Sequence, residues 1–129
     1  MPGNTIEGGC LCGAVRYAIG APPQTSLICH CRTCRRASAA PSVAWITVDR
    51  AQFAFTAGTP ASFSSSPPVT RTFCAQCGSP LTYITDKYPE SIDVTTVSLD
   101  EPERYAPTRE VWLEYKLAWE PTDPHLRHS

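Results

Sequence analysis

Short segments in which apolar and polar residues alternate recur along the chain and predict β-strands. Proline, glycine and acidic residues cluster between these segments and predict turns. The regular spacing of short strands indicates a mainly β, mostly antiparallel fold. The strands are predicted at residues 14–19, 42–48, 52–56, 69–73, 81–85, 92–97 and 111–117.

Thirteen prolines are spread along the chain, and they disfavour long helices because each removes a backbone donor and fixes φ. The pattern predicts one helical turn after Cys31, over residues 33–40, that ends before Pro41. Residues 62–68 are small and polar and are predicted to form a loop.

The length of 129 residues suits one domain over 1–129, with a core at about 7–120 and a flexible tail at 121–129. The net charge of −1 excludes the cationic excess that general nucleic-acid binding requires. We find no long apolar run for a membrane, and residues 1–9 do not resemble a secretory signal. We therefore expect a cytoplasmic protein without a membrane or nucleic-acid partner, and the sequence indicates no oligomeric state.

Seven cysteines are the strongest chemical signal in the sequence. An odd number cannot close entirely into disulfides within one chain, and close spacing is typical of metal sites or reactive thiols. They form a C-x-C pair, a C-H-C-x-x-C trio and a C-x-x-C pair followed by glycine. The residues are Cys10 and Cys12, then Cys29, Cys31 and Cys34, then Cys74 and Cys77.

The two pairs can together complete one closed four-thiolate zinc site, whereas the trio leaves one coordination position open. An open position is typical of a reactive zinc, because water or substrate can enter it. Arg32, Arg35 and Arg36 lie beside the trio in the sequence and can offset its negative charge or receive substrate carboxylates. Spacing also allows the trio to combine with one flanking pair, and it allows a purely structural metal domain or free buried thiols.

Several further residues favour structural interpretations. His30 is predicted to point away from the metal, because alternation in an extended segment places it opposite Cys29 and Cys31. The three tryptophans are predicted to pack in the core or at its rim. Asp93 is predicted to be solvated or to form a turn.

The cysteine motifs in their order resemble the glutathione-dependent formaldehyde-activating (GFA) family, which includes the domain of centromere protein V. The similar segments are 9–17, 29–35 and 73–78, and the resemblance covers roughly residues 7–120. It implies a β-tent of several small antiparallel sheets. It further implies a structural zinc on Cys10, Cys12, Cys74 and Cys77 and a catalytic zinc on the trio.

The name-giving activity of that family adds glutathione to formaldehyde, and many relatives are described as carbon–sulfur lyases. The resemblance thus implies a zinc-dependent, lyase-like enzyme that handles glutathione or a related thiol and an aldehyde, as in S-hydroxymethylglutathione. In that case the arginines beside the trio would hold the carboxylates of glutathione. The sequence departs from the family at Glu110, where a histidine is common before an apolar–aromatic pair.

Two other interpretations remain open on the sequence. One is a non-catalytic zinc module that binds a thiol ligand, a protein or a nucleic acid. The other is an iron–sulfur or redox-sensing protein, although these cysteine spacings do not match the usual cluster spacings.

Overall fold

The computed structural model describes residues 5–129. Within this range the chain forms eleven strands, one short α-helix and several 3₁₀ turns. The helix, α1, spans Arg32–Ser38. The strands are β1 (Ile6–Gly9), β2 (Arg16–Ile19), β3 (Thr25–Cys29), β4 (Val43–Asp49), β5 (Phe53–Ala57), β6 (Ala61–Ser66), β7 (Val69–Phe73), β8 (Pro80–Thr85), β9 (Ser91–Thr95), β10 (Arg109–Val111) and β11 (Arg127–His128).

The strands form two sheets, so the fold is mainly β, as predicted. One sheet has three strands in the order β1-β2-β5, and the other has eight in the order β11-β10-β3-β4-β9-β8-β7-β6. Neighbouring strands pair antiparallel except at β10, which pairs parallel with β3 and β11. Because β10 lies beside β3, a segment from late in the chain reaches the trio at the end of β3.

Alternation along β4 explains why the large sheet is covered on both faces. Ile46 and Val48 are fully buried and pack with Tyr17 and Ile19 of the small sheet in the main core. Val43 and Trp45 lie on the opposite face and pack with Cys29 and Cys34 in a second cluster. Since side chains alternate between the faces of a strand, one strand supports both the core and the trio.

The predicted helical turn is confirmed and corresponds to α1. Cys31 is its N-cap, with an extended backbone and a side chain that accepts a hydrogen bond from the Cys34 amide. The helix ends at Ala39, which has a left-handed φ of 49°, shortly before the proline that cannot continue a helix. The helix thus places two cysteines one turn apart.

Two sequence predictions about elements are wrong. Residues 61–66 form β6 rather than a loop, because pairing with β7 satisfies the backbone of a polar edge strand. The predicted strand over 111–117 ends at Val111, since Trp112 has a left-handed backbone and a 3₁₀ turn follows. Alternation also missed the short strands β1, β3 and β11.

The C-terminal segment contains β11, which pairs with β10 through Arg109–Arg127 and Glu110–His128. The amide of Ser129 also donates to the carbonyl of Glu110. Among residues 5–129, no helix is long and apolar enough to cross a membrane.

Candidate metal centres

The sulfurs of Cys10, Cys12, Cys74 and Cys77 lie within 4.8 Å of one another. Adjacent sulfurs are 3.6 Å apart for Cys10–Cys12 and 3.8 Å apart for Cys12–Cys74. Tetrahedral thiolates at about 2.3 Å from a zinc ion would be about 3.8 Å apart, whereas a disulfide would need about 2.05 Å. The spacing therefore fits one tetrahedral metal ion and excludes a disulfide between these sulfurs.

Two glycine turns bring these pairs together. Gly13 and Gly78 each have a φ of 81°, and open space lies where a Cβ would be, so the requirement is conformational rather than steric. Around both turns, backbone amides point at sulfur. Val15 donates to Cys10 at 3.3 Å, and Gln76 and Cys77 donate to Cys74 at 3.4 Å. Such amide contacts stabilise thiolates, the form that binds metal.

The ionisation of Cys77 agrees with that role. Its sulfur lies 3.2 Å from the Ser79 hydroxyl. Hydrogen bonds from the side chain and backbone of Ser79 lower the pKa of Cys77 to about 5. This lowered pKa favours the thiolate, the form that binds metal, at neutral pH.

The second group comprises Cys29, Cys31 and Cys34, whose sulfurs also lie within 4.8 Å of one another. Cys29 ends β3, Cys31 caps α1 and Cys34 lies one turn into the helix. Hydrogen bonding to Cys29 and then to Cys34 lowers the pKa of Cys31, and the same cluster raises the pKa of Cys29. The sulfurs thus share charge as one unit, and this set of three can hold a metal ion and leave a fourth position open.

A cavity of about 180 Å³ adjoins the trio. Its walls are mainly aromatic and aliphatic, with one carboxyl group among the described lining residues. The lining residues besides the three cysteines are Leu27, Thr33, Trp45, Tyr83, Asp93, Val111 and Trp112. Because small-molecule sites are typically about 300–1,000 Å³, this cavity suits the reacting end of a substrate, and a larger ligand would extend beyond it.

Arg71 on β7 places a positive charge against the trio, and sequence reasoning missed it. Its Nη2 lies 3.8 Å from the Cys34 sulfur and 3.4 Å from the Thr33 hydroxyl, and its Nε donates to Ser65. The guanidinium also lies 4.9 Å from the Tyr83 ring centroid, and the residue is buried. The sequence signal for Arg71 is its position two residues after the apolar Val69 in a predicted strand. This spacing places both side chains on the same face, and both are buried.

The arginines predicted from sequence lie on α1, further out. Arg32 is exposed and stacks over Tyr115 at 4.7 Å from the ring centroid, and Arg35 is half-buried. Arg36 lines a second groove of about 590 Å³ that it shares with Arg71. Of the three, Arg36 is therefore the one that the structure places beside a groove next to the trio.

The ring nitrogens of His30 do not gather with the three sulfurs of the trio, in agreement with the prediction that this residue does not bind the metal. Its Nε2 lies 2.7 Å from Oε1 of Glu110, and both side chains are buried. Burial works to raise the pKa of Glu110, but hydrogen bonds from His30 and from the amide of Asp123 outweigh it and hold that pKa below its usual value. Glu110 thus holds the loop of the trio against the C-terminal segment.

The prediction that Asp93 is solvated or forms a turn is wrong. It lies inside β9, half-buried, and its carboxylate accepts a hydrogen bond of 2.6 Å from Thr47. Burial raises its pKa. Strand register explains the position, because Asp93 faces the same side of the sheet as Trp45, which the alternation of apolar residues in β4 had marked as inward.

Comparison with known proteins agrees with the cysteine geometry. The sequence model described as "Glutathione-dependent formaldehyde-activating enzyme" matches residues 5–115. A crystal structure of a Rhodobacter sphaeroides protein, a structural genomics target, superposes with a TM-score of 0.63 at 21% identity, covering 73% of this chain and 87% of that chain. At that identity the likeness shows the fold alone. No curated protein matches the chain.

Proposed function

The chain belongs to the glutathione-dependent formaldehyde-activating enzyme family, and from this we propose that it is a zinc-dependent carbon–sulfur lyase. Its substrate would be an adduct of glutathione, or a related thiol, with an aldehyde. The observation that carries the proposal is the trio, whose three sulfurs gather beside a cavity, and no fourth ligand from residues 5–129 joins them.

In this proposal the two cysteine pairs would hold a structural zinc and the trio would hold a catalytic one. When bound at the trio, zinc supplies a positive charge that lowers the pKa of an incoming thiol and fixes the position of its sulfur. Arg71 would offset the negative charge that three or four thiolates leave on a divalent ion.

The walls of the cavity support this reaction. Trp45, Tyr83 and Trp112 surround the open side of the trio with apolar surface, which excludes water and strengthens the electrostatic interactions inside. The cavity is too small for a whole tripeptide thiol. Arg36 and Arg71, in the adjoining groove, are placed to receive its carboxylates, since guanidinium groups pair with carboxylates bidentately.

The alternative is a zinc module without catalysis. A purely structural site needs four ligands and gains nothing from a lined cavity at an open position. An acidic side chain in that cavity and a buried guanidinium on a ligand sulfur also favour chemistry over simple scaffolding.

The experiment begins with zinc-loaded protein and its metal content per chain, with and without glutathione. Glutathione binding is measured by calorimetry, and formation and cleavage of S-hydroxymethylglutathione are followed by NMR exchange spectroscopy. We expect two zinc ions per chain and faster exchange than without protein. Cys31→Ser should lose one zinc, thiol binding and the acceleration together, while Ser64→Ala on an exposed strand serves as the matched control.

Glutathione that binds equally to wild type and Cys31→Ser would overturn the role of the trio. A protein that carries two zinc ions per chain and binds glutathione, but accelerates neither formation nor cleavage of adducts of formaldehyde and of larger aldehydes, would instead support the binding module.

A further inference from the structure

We propose that Asp93 is the catalytic acid and base that moves the proton on the hydroxyl oxygen of the adduct, the atom that becomes the carbonyl oxygen of the aldehyde. This inference rests on the proposed lyase function and adds a residue to it. The carboxyl group lies in the wall of the cavity that the trio also lines, and it comes from a strand that carries none of the cysteines.

The register of the large sheet explains how this carboxyl reaches the cavity. Arg71 pairs with Tyr83 across β7 and β8, Tyr83 pairs with Asp93 across β8 and β9, and Asp93 pairs with Thr47 across β9 and β4. Side chains of directly paired residues share a face. A row of polar side chains therefore crosses four strands on the face that holds Trp45 and the second cluster.

The surroundings of Asp93 suit proton transfer. Thr47 donates to one carboxylate oxygen at 2.6 Å, which fixes the group and leaves the other oxygen available to a ligand. Desolvation raises the pKa of this carboxyl, which brings it closer to neutral pH, where acid–base catalysis is most effective. Among the described residues that line the cavity, no other carboxyl group competes for the role.

Other ionisable groups face Asp93 from each neighbouring element. Tyr83 comes from β8, and Arg71 of β7 lies over its ring. The trio comes from β3 and α1. Lys87, from the turn after β8, lines the outer groove of about 560 Å³ that Asp93 also touches. Because these neighbours carry both signs of charge, substitution of Asp93 alone is needed to assign a pH dependence.

The proposed step conserves protons and electrons. During cleavage, the carboxylate of Asp93 takes the hydroxyl proton of the hemithioacetal, the O–H electrons form the C=O bond, and the C–S electrons leave with the sulfur as thiolate. The products are an aldehyde, a thiolate and the protonated carboxyl group, which then returns its proton to water. When the adduct forms, the same groups act in reverse: the protonated carboxyl group gives its proton to the aldehyde oxygen as the thiolate adds to the carbon. Neither direction requires an oxidant or a reductant.

The test compares Asp93→Asn with Asp86→Asn, an exposed aspartate in the turn after β8. Asparagine keeps the size and the acceptor for Thr47 but cannot take up the proton. We expect kcat for adduct cleavage to fall about 100-fold in Asp93→Asn, with KM, zinc content and glutathione affinity unchanged. Asp86→Asn should retain wild-type kinetics.

A second readout does not depend on turnover. In zinc-loaded protein labelled with ¹³C at aspartate carboxyls, we expect the unreactive S-methylglutathione to shift the Asp93 resonance and leave the Asp86 resonance in place. An unshifted Asp93 resonance at saturating ligand would overturn the inference.

The kinetics distinguish a failure of the role of Asp93 from a failure of the lyase function. If wild type cleaves adducts and Asp93→Asn retains kcat within threefold, the role of Asp93 is wrong while the lyase function stands. Loss of zinc or of glutathione binding in Asp93→Asn would assign a structural role instead. A wild-type protein that accelerates no adduct reaction would overturn the proposed function, and the role of Asp93 with it.

Discussion

The carboxylate of Glu110 lies 2.7 Å from Nε2 of His30, and the two side chains are only 2% and 1% exposed. His30 stands between two cysteines of the trio, and Glu110 lies on β10, eighty residues later. The second carboxylate oxygen accepts the amide of Asp123 at 2.8 Å. A single buried pair therefore joins the loop of the trio to β10 and to the C-terminal segment.

Removal of this carboxylate should destabilise the domain. In Glu110→Ala the Nε2 atom of His30 loses its buried partner, which costs about 1–3 kcal/mol in the free energy of unfolding. Urea denaturation of zinc-loaded protein measures the effect. Glu114→Ala, an exposed acid in the following turn, is the matched control and should change stability by less than about 0.5 kcal/mol. Equal effects of the two variants would contradict a role for the pair.

The charge of Arg71 should hold metal at the trio. In Arg71→Met the contact with the Cys34 sulfur disappears, and we expect the affinity for the second zinc to fall about 10–100-fold. Arg71→Lys keeps the charge without the planar guanidinium, and its affinity for the second zinc should lie between those of wild type and Arg71→Met. Competition with a chromophoric chelator measures the affinity, and circular dichroism checks the fold.

Arg104→Met is the control for that experiment, because Arg104 is an exposed arginine paired with Glu101. It should leave both zinc affinities unchanged. An affinity at the trio that is the same in Arg71→Met as in wild type would show that the guanidinium does not hold metal there.

The two candidate centres should respond differently to loss of one sulfur. Cys74 is buried in the main core, and its sulfur contacts that of Cys12 in the other cysteine pair. Cys74→Ser should therefore unfold the domain or lower Tm by more than 10 °C. Cys31 is half-buried at the end of a short helix, so Cys31→Ser should remove one zinc per chain with a much smaller change in Tm. Metal analysis with thermal denaturation makes the comparison, and equal loss of Tm would contradict the division into two centres.

Trp112 should be strained. It has a φ of 59° and is half exposed at the rim of the cavity, and a left-handed backbone costs a residue with a Cβ about 1–2 kcal/mol. We therefore expect Trp112→Gly to be about 1 kcal/mol more stable than Trp112→Ala in urea denaturation. Tyr115 ends a 3₁₀ turn, and glycine is a poorer helix former than alanine. At this control position we therefore expect Tyr115→Gly to be less stable than Tyr115→Ala.

The sequence predicted the grouping of the cysteines better than the shape of the pocket. Cysteine spacing is a local property, so the grouping into pairs and a trio followed from short motifs. Alternation likewise identified β4, in which Ile46 and Val48 are buried on one face.

The residues around the trio depend instead on strand register. Arg71 and Asp93 are 22 positions apart and lie in one row only because Tyr83 pairs with both. Pairing between distant strands is not encoded in the local pattern, so a charged residue at an inward position looks like a solvated one. Polar β6 was missed for the same reason, because its partner rather than its composition makes it a strand.

The buried carboxyl of Asp93 should make stability depend on pH. Its pKa is raised in the folded state, mainly by desolvation, so folding favours the protonated form. Below the ordinary aspartate value of 3.8 both states are protonated, and the group costs nothing. As the pH rises from that value through the raised pKa, the unfolded state ionises first and the folded state loses stability relative to it.

Asp93→Asn removes this penalty and keeps the hydrogen bond from Thr47. The free energy of unfolding of the variant minus that of wild type should therefore be near zero at pH 3.5, become positive as the pH rises and level off above the raised pKa. Urea denaturation of both proteins at matched zinc content across this range measures the difference. A difference that does not vary with pH, or one that becomes negative, would show that Asp93 is ionised without penalty in the folded protein.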